Sequence, residues 1–182
     1  MRVAQYSVVA FPKLDNESEL RRLRDRYPSW TMAVEPHIPV VLPFTPLDLD
    51  EIQHVADFVS NARRRLHPIA VTFHECVAIG DRLYYNIATG WDELVALHAQ
   101  IIGSEPMPLL QHGTYEPRLA LGRVTSESER AAAARAITAL LRTLGLVDTL
   151  TIVSVGPDES VERVAGYPFG VGRVDFFKPF PV

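Results

Sequence analysis

Two short segments of the chain share a pattern that can place reactive side chains next to each other. Residues 35–42 and 116–123 both begin with Glu-Pro and continue as an apolar run that is typical of a strand. Alternate residues of a strand point to one face, so His37 with Pro39, and Arg118 with Ala120, are each expected to face a shared cleft. Histidine exchanges protons near neutral pH, and arginine holds anions through parallel hydrogen bonds. The repeated pattern therefore predicts a two-lobed site.

These segments resemble the motifs of the two-histidine phosphoesterase superfamily, which includes 2',5' RNA ligase-like proteins and cyclic nucleotide phosphodiesterases. Its two motif strands read His-x-Thr/Ser-x. The first often ends in apolar-Pro-Phe, as at residues 42–44, and the second often reads Pro-His-apolar-Thr-Leu-Gly-Arg, which corresponds to residues 117–123. His37 matches the first histidine, whereas the second falls on Arg118 and the two hydroxyl residues fall on Pro39 and Ala120.

The resemblance implies a reaction in which one histidine takes a proton from the attacking oxygen and the other gives a proton to the leaving oxygen. A guanidinium group does not deprotonate in proteins, so Arg118 keeps a phosphate-binding charge but cannot exchange protons. Loss of one general acid or base typically costs roughly a hundred- to ten-thousandfold in rate. We therefore expect His37 to be catalytic, Arg118 and Arg123 to bind substrate, and the acid/base chemistry to be impaired or altered.

A substitute for the missing histidine is sought on the strand predicted over residues 69–79. Strand alternation predicts that Thr72, His74 and Cys76 share a face, and His74 is the first catalytic candidate. The alternative is a histidine that simply faces solvent. His112 is a weaker candidate, and Tyr85 is predicted to line the cleft and bind substrate, although strand aromatics are more often core residues. Surface positions beside predicted helices are expected for the other histidines, His54, His67 and His98.

Composition limits the classes of partner. The formal net charge of -4 and the pI near 5.8 argue against an extended DNA or RNA interface, and the arginines at 21–24 and 63–65 are predicted to be solvated helix faces. The expected partner is a small phosphate-bearing ligand or a short RNA end. A single cysteine and the absence of zinc-site spacing predict no disulfide, metal or cofactor, and cytoplasmic residence. No apolar run is long enough to cross a membrane.

The order of predicted elements alternates strands and helices. Strands are predicted over residues 3–11, 32–42, 69–79, 82–88, 115–124, 150–155 and 171–177. Cap-like residues predict helices after Asn16, Asp48 and Ser126, the last continuing to Gly145, and helical spacing predicts another over 91–102. Gly80-Asp81 predicts a hairpin turn, and residues 104–113 a loop. The segment between the last two strands, which contains Gly156-Pro157 and Gly166, is predicted to form turns.

These elements predict an α+β fold in residues 1–182, a single domain of two pseudo-symmetric lobes. Each lobe is an antiparallel sheet with helices outside, around a central cleft. The resemblance implies a phosphoesterase or 2',5' RNA ligase-like protein acting on cyclic phosphate or 2',5'-linked nucleotides. Two alternatives stay open: a non-catalytic nucleotide- or phosphate-binding protein on the same fold, and an unrelated α+β interaction domain.

Overall fold

The computed structural model describes residues 5–32, 34–46, 48–103, 114–140, 143–156 and 160–178. Four helices lie in these ranges: α1 (Glu17–Asp25), α2 (Leu49–Arg63), α3 (Trp91–Ile102) and α4 (Glu127–Thr138). The strands are β1 (Gln5–Ala10), β2 (Lys13–Leu14), β3 (Trp30–Thr31), β4 (Ile38–Phe44), β5 (Ile69–Ile79), β6 (Arg82–Thr89), β7 (Arg118–Val124), β8 (Leu144–Val147), β9 (Thr149–Val155), β10 (Val161–Pro168) and β11 (Asp175–Phe176).

The strands form two antiparallel sheets. The first has the order β11-β10-β9-β1-β4, and helices α2 and α3 pack on it. Helix α2 buries the stripe Ile52, Val55 and Val59, whose spacing of three to four residues gives one apolar face. Helix α3 buries Leu94 and Leu97 in the same way. This sheet and its two helices make the first lobe.

The second sheet has the order β2-β8-β5-β6-β7-β3. Helix α4 packs on β5 and β7, and α1 packs against α4. Ala133 and Ile137 of α4, together with Leu20 and Leu23 of α1, are the buried helix residues of this lobe. The predicted α+β class, with two antiparallel sheets carrying their helices outside, is confirmed.

Local sequence signals locate several element ends correctly. The side chain of Asp48 accepts a hydrogen bond of 3.0 Å from the backbone N–H of Glu51 and caps the start of α2. The Ser126 hydroxyl accepts a hydrogen bond from the backbone N–H of Glu129 and caps the start of α4 in the same way. Gly80 adopts φ +61° in the turn between β5 and β6, which is the backbone that a tight hairpin requires. The predicted helix over 91–102 matches α3.

The last strand, predicted over 171–177, is shorter, because only Asp175–Phe176 pair with β10. Two other predicted elements are wrong. The helix after Ser126 ends at Thr138 instead of running to Gly145, because residues 144–147 form β8 and pair with β5. Leu144 is therefore a strand residue, and Leu141 lies outside the described residues. The segment predicted as turns before the last strand contains β10, an eight-residue strand paired with β9. Pairing between distant segments, which helical periodicity does not report, decides both regions.

The two sheets meet where β4 approaches β7. The backbone N–H of Ala120 donates to the His37 carbonyl at 2.7 Å, and the N–H of His37 donates to the Ala120 carbonyl at 3.3 Å. Farther along β7, Gly122 has φ +104°, and a Cβ there would lie 2.4 Å from the Thr31 carbonyl oxygen. Only glycine lets β3 approach β7 this closely without backbone displacement. The motif segments of the two lobes are thus hydrogen-bonded to each other.

Candidate active site

A cleft of about 550 Å³ lies over the junction of the two sheets. Its polar and charged lining residues are Gln5, Ser7, Thr31, His37, Arg82, Tyr84 and Arg123. Its apolar lining includes Phe11, Met32, Pro39 and Ala120. Both lobes contribute, since β1 and β4 belong to the first sheet and β6 and β7 to the second. The cleft therefore combines one histidine with two arginines.

The register at the junction relates the two motif strands by a local two-fold symmetry. His37 lies opposite Ala120 in an antiparallel bridge, so Pro39 and Arg118 take the next equivalent positions along the two chains. Residues opposite each other in such a pair point to the same face. The first residue of one motif thus lies beside the third residue of the other. This arrangement brings the backbone of both motifs together, as the repeated pattern predicts.

His37 is held in one tautomer. Its Nδ1 lies 3.0 Å from the backbone carbonyl oxygen of Glu35. A carbonyl only accepts hydrogen bonds, so Nδ1 carries the proton and Nε2 is the nitrogen that can accept one. Burial lowers the pKa of His37, the Glu35 hydrogen bond partly opposes this, and the Arg82 charge lowers it further. The ring is therefore neutral at neutral pH and suited to act as a general base.

The His37 ring is packed by a short chain of contacts. The Phe11 ring lies 6.0 Å from it, centroid to centroid, and the guanidinium of Arg163 lies 4.3 Å above Phe11 on a cation–π contact. Arg163 is in turn ion-paired with the carboxylate of Glu35, whose carbonyl holds His37. Glu35 thus fixes His37 directly through its backbone and indirectly through its side chain.

Positive charge in the cleft comes from the β6 and β7 ends. Arg82 and Arg123 are partners in the β6–β7 register, and both line the cleft. The Nε of Arg123 donates to Asp81 Oδ2 at 2.8 Å, which holds the pKa of that carboxyl below its usual range. Asp81 therefore orients Arg123 from one side. Guanidinium groups so placed bind phosphate or carboxylate through directed hydrogen bonds.

Arg118 lies farther along β7 than the cleft residues. It is partly buried, its guanidinium is ion-paired with Glu116, and it is not among the residues that line the 550 Å³ cleft. Alternation along β7 still places it on the same face as Ala120, which bridges to His37. Substrate binding by Arg118 stays a prediction, whereas Arg123 lies in the cleft as expected.

Two other predicted site residues lie elsewhere. His74 is exposed on β5, at a bulge that shifts the register between Phe73 and Glu75, while Cys76 is buried. The predicted shared face of His74 and Cys76 is therefore wrong, because the bulge breaks the alternation. Two strands separate β5 from β4 at the junction, which sets the backbones roughly 14 Å apart at about 4.8 Å per strand. His74 does not line the cleft.

Tyr85 also requires correction. Its side chain is 0% exposed, and its hydroxyl donates toward the carbonyl oxygens of Ile137 at 3.2 Å and Leu140 at 3.3 Å. It packs 5.2 Å from the Phe73 ring in the core. The predicted cleft position and substrate-binding role of Tyr85 are therefore wrong, because strand alternation turns this side chain to the helix-covered face.

The sequence reasoning missed two cleft residues, Arg82 and Tyr84. The signal for Tyr84 is the alternation of β6, in which Leu83, Tyr85 and Ile87 are buried. This apolar set turns residues 84 and 86 to the opposite face. Arg82 carries no comparable signal, because its place in the cleft follows from pairing with a strand 41 residues away in the sequence, at Arg123.

A stacked pair of rings, one buried and one partly buried, contacts the backbone of the first motif strand. The Nδ1 of His98 lies 2.6 Å from the Val40 carbonyl oxygen, and the Tyr115 hydroxyl donates to the Pro39 carbonyl at 2.8 Å. The two rings stack at 3.9 Å, and burial raises the pKa of Tyr115. The predicted surface position of His98 is therefore wrong. Arg63, predicted as part of a solvated helix face, is also buried and donates to the carbonyls of Pro168 and Gly172.

Solved structures with the same fold are known. The chain matches a crystal structure of a phosphoesterase at TM-score 0.64 and 10% identity, over 92% of this chain and 99% of that one. The fold is that of LigT. E. coli LigT complexed with phosphate gives TM-score 0.61 at 9% identity, and LigT complexed with 3'-AMP gives 0.61 at 10%, each covering 92% of this chain and 98% of the other. These matches confirm the predicted fold.

Sequence comparison adds no closer relative. No family model matches the chain, and no curated protein matches it.

Among the residues that the structure describes, no group of three or more His, Cys, Asp or Glu side chains is placed to hold a metal ion. In those same ranges no helix has the length and apolar character that a membrane span needs. His112 and the predicted loop at 104–113 lie outside the described residues.

Proposed function

We propose that this protein binds a small phosphate ester in the cleft and hydrolyses cyclic phosphodiesters slowly, with His37 as the general base. One observation carries the proposal: a histidine with an open Nε2 meets two guanidinium groups, Arg82 and Arg123, on one concave surface between the lobes. Phosphate is the common biological anion for which this combination of charge and directed donors is suited.

The ligand class is supported by the fold neighbours. LigT has been crystallised with phosphate, with 3'-AMP and with ATP. The cleft of about 550 Å³ lies within the usual size of small-molecule sites. The net charge of -4 disfavours a long polyanion, while the local arginines favour a compact one. A nucleotide with a 2',3'-cyclic phosphate is the proposed substrate type, with a short RNA end as a larger form.

The proposed reaction is slow because three phosphate or proton contacts of the resembling motifs are absent. Pro39 and Ala120 replace hydroxyl residues, and Arg118 replaces a histidine. In the proposed step, Nε2 of His37 takes a proton from water while the arginines stabilise the charge that develops on phosphorus-bound oxygens. The same absences favour the second candidate, a binding protein on this fold that does not turn its ligand over.

Calorimetry with adenosine 2',3'-cyclic phosphate tests the proposal, with adenosine as the ligand that lacks phosphate. The cyclic phosphate is expected to bind and adenosine is not. Arg82→Gln is expected to weaken binding by about ten- to a hundredfold, since a charge-assisted hydrogen bond contributes about 1.5 to 3 kcal/mol. Arg64→Gln is the matched control, because Arg64 is exposed at the end of α2 and does not line this cleft.

The same samples, followed by phosphorus NMR, separate the two candidates. Conversion of the cyclic phosphate to a monoester by the wild-type protein supports the enzyme, and binding without conversion supports the binding protein. Equal affinity for adenosine and its cyclic phosphate, or an equal effect of the two arginine substitutions, would mean that the cleft does not bind phosphate.

A further inference from the structure

One cleft-facing row crosses three strands. Ala120 on β7 pairs with His37 on one side and with Tyr84 of β6 on the other. Residues opposite each other in antiparallel pairs point to the same face, and all three line the cleft. The row therefore reads His37, Ala120, Tyr84 across the floor of the site.

The spacing in this row suits a ligand between the two outer side chains. At about 4.8 Å per strand, the backbones of His37 and Tyr84 are roughly 10 Å apart. The central residue, Ala120, carries only a methyl group, so the space above it stays open. An imidazole and a phenol that reach inward from opposite sides are placed to contact one phosphate group from two directions.

Tyr84 differs from its neighbour in what its hydroxyl does. The Tyr85 hydroxyl donates toward two backbone carbonyl oxygens in the core. Among the described residues, the Tyr84 hydroxyl makes no hydrogen bond, and the side chain is half-buried in the cleft wall. Its phenolic proton is therefore available to a ligand.

Other groups in the cleft are poor proton donors. Arg82 and Arg123 keep their protons in proteins. The Ser7 hydroxyl donates to the Val41 carbonyl at 2.6 Å and is buried. Tyrosine, in contrast, is an established general acid in enzymes. The only remaining hydroxyl of the described lining is that of Thr31, an aliphatic alcohol.

We propose that Tyr84 is the catalytic acid of this site and performs the proton donation that Arg118 cannot. The inference rests on the proposed hydrolysis. Water forms a bond to phosphorus and gives its proton to Nε2 of His37, while one ester P–O bond breaks and the leaving ribose oxygen takes the Tyr84 proton. The tyrosinate then recovers a proton from the solvent, and the imidazolium releases one, so the cycle closes with one water consumed.

Tyr84→Phe tests this role with two substrates that differ in their need for an acid. A 2',3'-cyclic nucleotide expels a ribose alkoxide, which needs a proton, whereas bis(p-nitrophenyl) phosphate expels a stable phenolate. Tyr84→Phe is expected to lower kcat on the cyclic nucleotide by about a hundredfold or more and on the aryl ester by less than about fivefold. The control is Tyr85→Phe, which removes a core hydrogen bond and is expected to leave the ratio of the two rates unchanged.

Each outcome separates the role of Tyr84 from the proposed function. Equal losses on both substrates, or no loss on the cyclic nucleotide, would overturn the acid role while the hydrolysis itself stands. A substrate-dependent loss in His112→Gln or His74→Gln instead of Tyr84→Phe would assign the acid elsewhere and overturn it too. If the wild-type protein hydrolyses neither substrate, both the proposed enzyme and its acid fail.

Discussion

The strand that carries His37 and the strand that carries Arg118 meet at the lobe junction in equivalent register, yet they present different chemistry. The bridge between His37 and Ala120 is made by backbone groups and places Pro39 and Arg118 at the next equivalent positions. On the first strand a histidine lines the cleft with an open Nε2. On the second, the equivalent side chain is ion-paired with Glu116.

The difference shows that the backbone bridge between the two motif strands does not require equivalent side chains on them. Antiparallel hydrogen bonds do not depend on whether residue 118 is a histidine or an arginine, so the junction forms either way. Proton transfer does depend on it. The remaining chemistry of the second half is divided between β7, where Arg123 lines the cleft, and the neighbouring strand β6, where Arg82 and Tyr84 line it.

The largest effect is expected from removing His37. His37→Gln is expected to lower the hydrolysis of a 2',3'-cyclic nucleotide by about a hundred- to ten-thousandfold, since glutamine cannot take a proton from water. Initial rates followed by phosphorus NMR or chromatography give the ratio to wild type.

The equivalent change in the second half is Arg118→Gln, for which a loss below about fivefold is expected, because Arg118 does not line the cleft that holds His37. If the two substitutions cost the same, the halves are functionally equivalent and the asymmetry described above does not exist.

Gly122→Ala is expected to disturb the pairing of β3 with β7 at the edge of the second sheet. The new Cβ would meet the Thr31 carbonyl oxygen at 2.4 Å in a backbone with φ +104°. We expect a loss of about 3 kcal/mol in the free energy of unfolding, at the upper end of what such backbone strain costs. Urea denaturation measures it.

The control for this change is Gly80→Ala, at φ +61° with no atom within 4 Å of the added Cβ. It carries only the left-handed penalty of about 1 kcal/mol. Equal losses in the two variants would show that β3 does not depend on close approach to β7.

The two arginines of β7 offer a sharper comparison within one strand. Arg123→Gln is expected to weaken binding of the cyclic nucleotide by about tenfold, because Arg123 lines the cleft and its Asp81 partner orients it. Arg118→Gln is expected to weaken it by less than about threefold, because Arg118 does not line the cleft. Calorimetric titration of both variants decides which arginine holds the phosphate. A larger effect at Arg118 would restore the equivalence of the two motif strands.

The smallest effect concerns stability and pH. Burial lowers the pKa of His37 in the folded protein, so the unfolded chain binds its proton first as pH falls below about 6.5. Stability contributed by the neutral ring is therefore lost as pH falls from about 6.5 through the folded-state pKa. The urea midpoint is expected to fall between about pH 7.5 and about pH 5, and this fall is expected to be smaller in His37→Gln than in wild type. If the midpoint falls by the same amount in both proteins, the His37 ring lies in a solvated environment.

Local patterns predicted much of the fold. Helix α3, the caps of α2 and α4 and the β5–β6 hairpin follow from helical spacing, capping residues and a glycine turn, all of which act within a few residues. The end of α4 and the strands β8 and β10 did not follow, because their backbone groups are satisfied by strands far away in the sequence. Long-range pairing overrides local propensity in these segments.

The candidate site divides in the same way. His37 and Arg123 were predicted from motif positions and line the cleft. Tyr85 was predicted to line the cleft, but its neighbour Tyr84 lines it instead. An error of one residue along a strand places the side chain on the opposite face. His74 does not share a face with Cys76 as predicted, because β5 contains a bulge that no local sequence pattern indicates.

The sequence by itself determined the residue types at the two motif strands: an arginine at 118, a proline at 39 and an alanine at 120, where the resembling motifs carry a histidine and two hydroxyl residues. Only the tertiary structure decided which neighbours surround His37. Tyr84 and Arg82 come beside it because β6 pairs with β7 and β7 bridges to β4, and such pairings fix the position of a side chain through the backbone of a different segment. Local sequence patterns do not indicate that register, because the register is set by contacts between residues tens of positions apart.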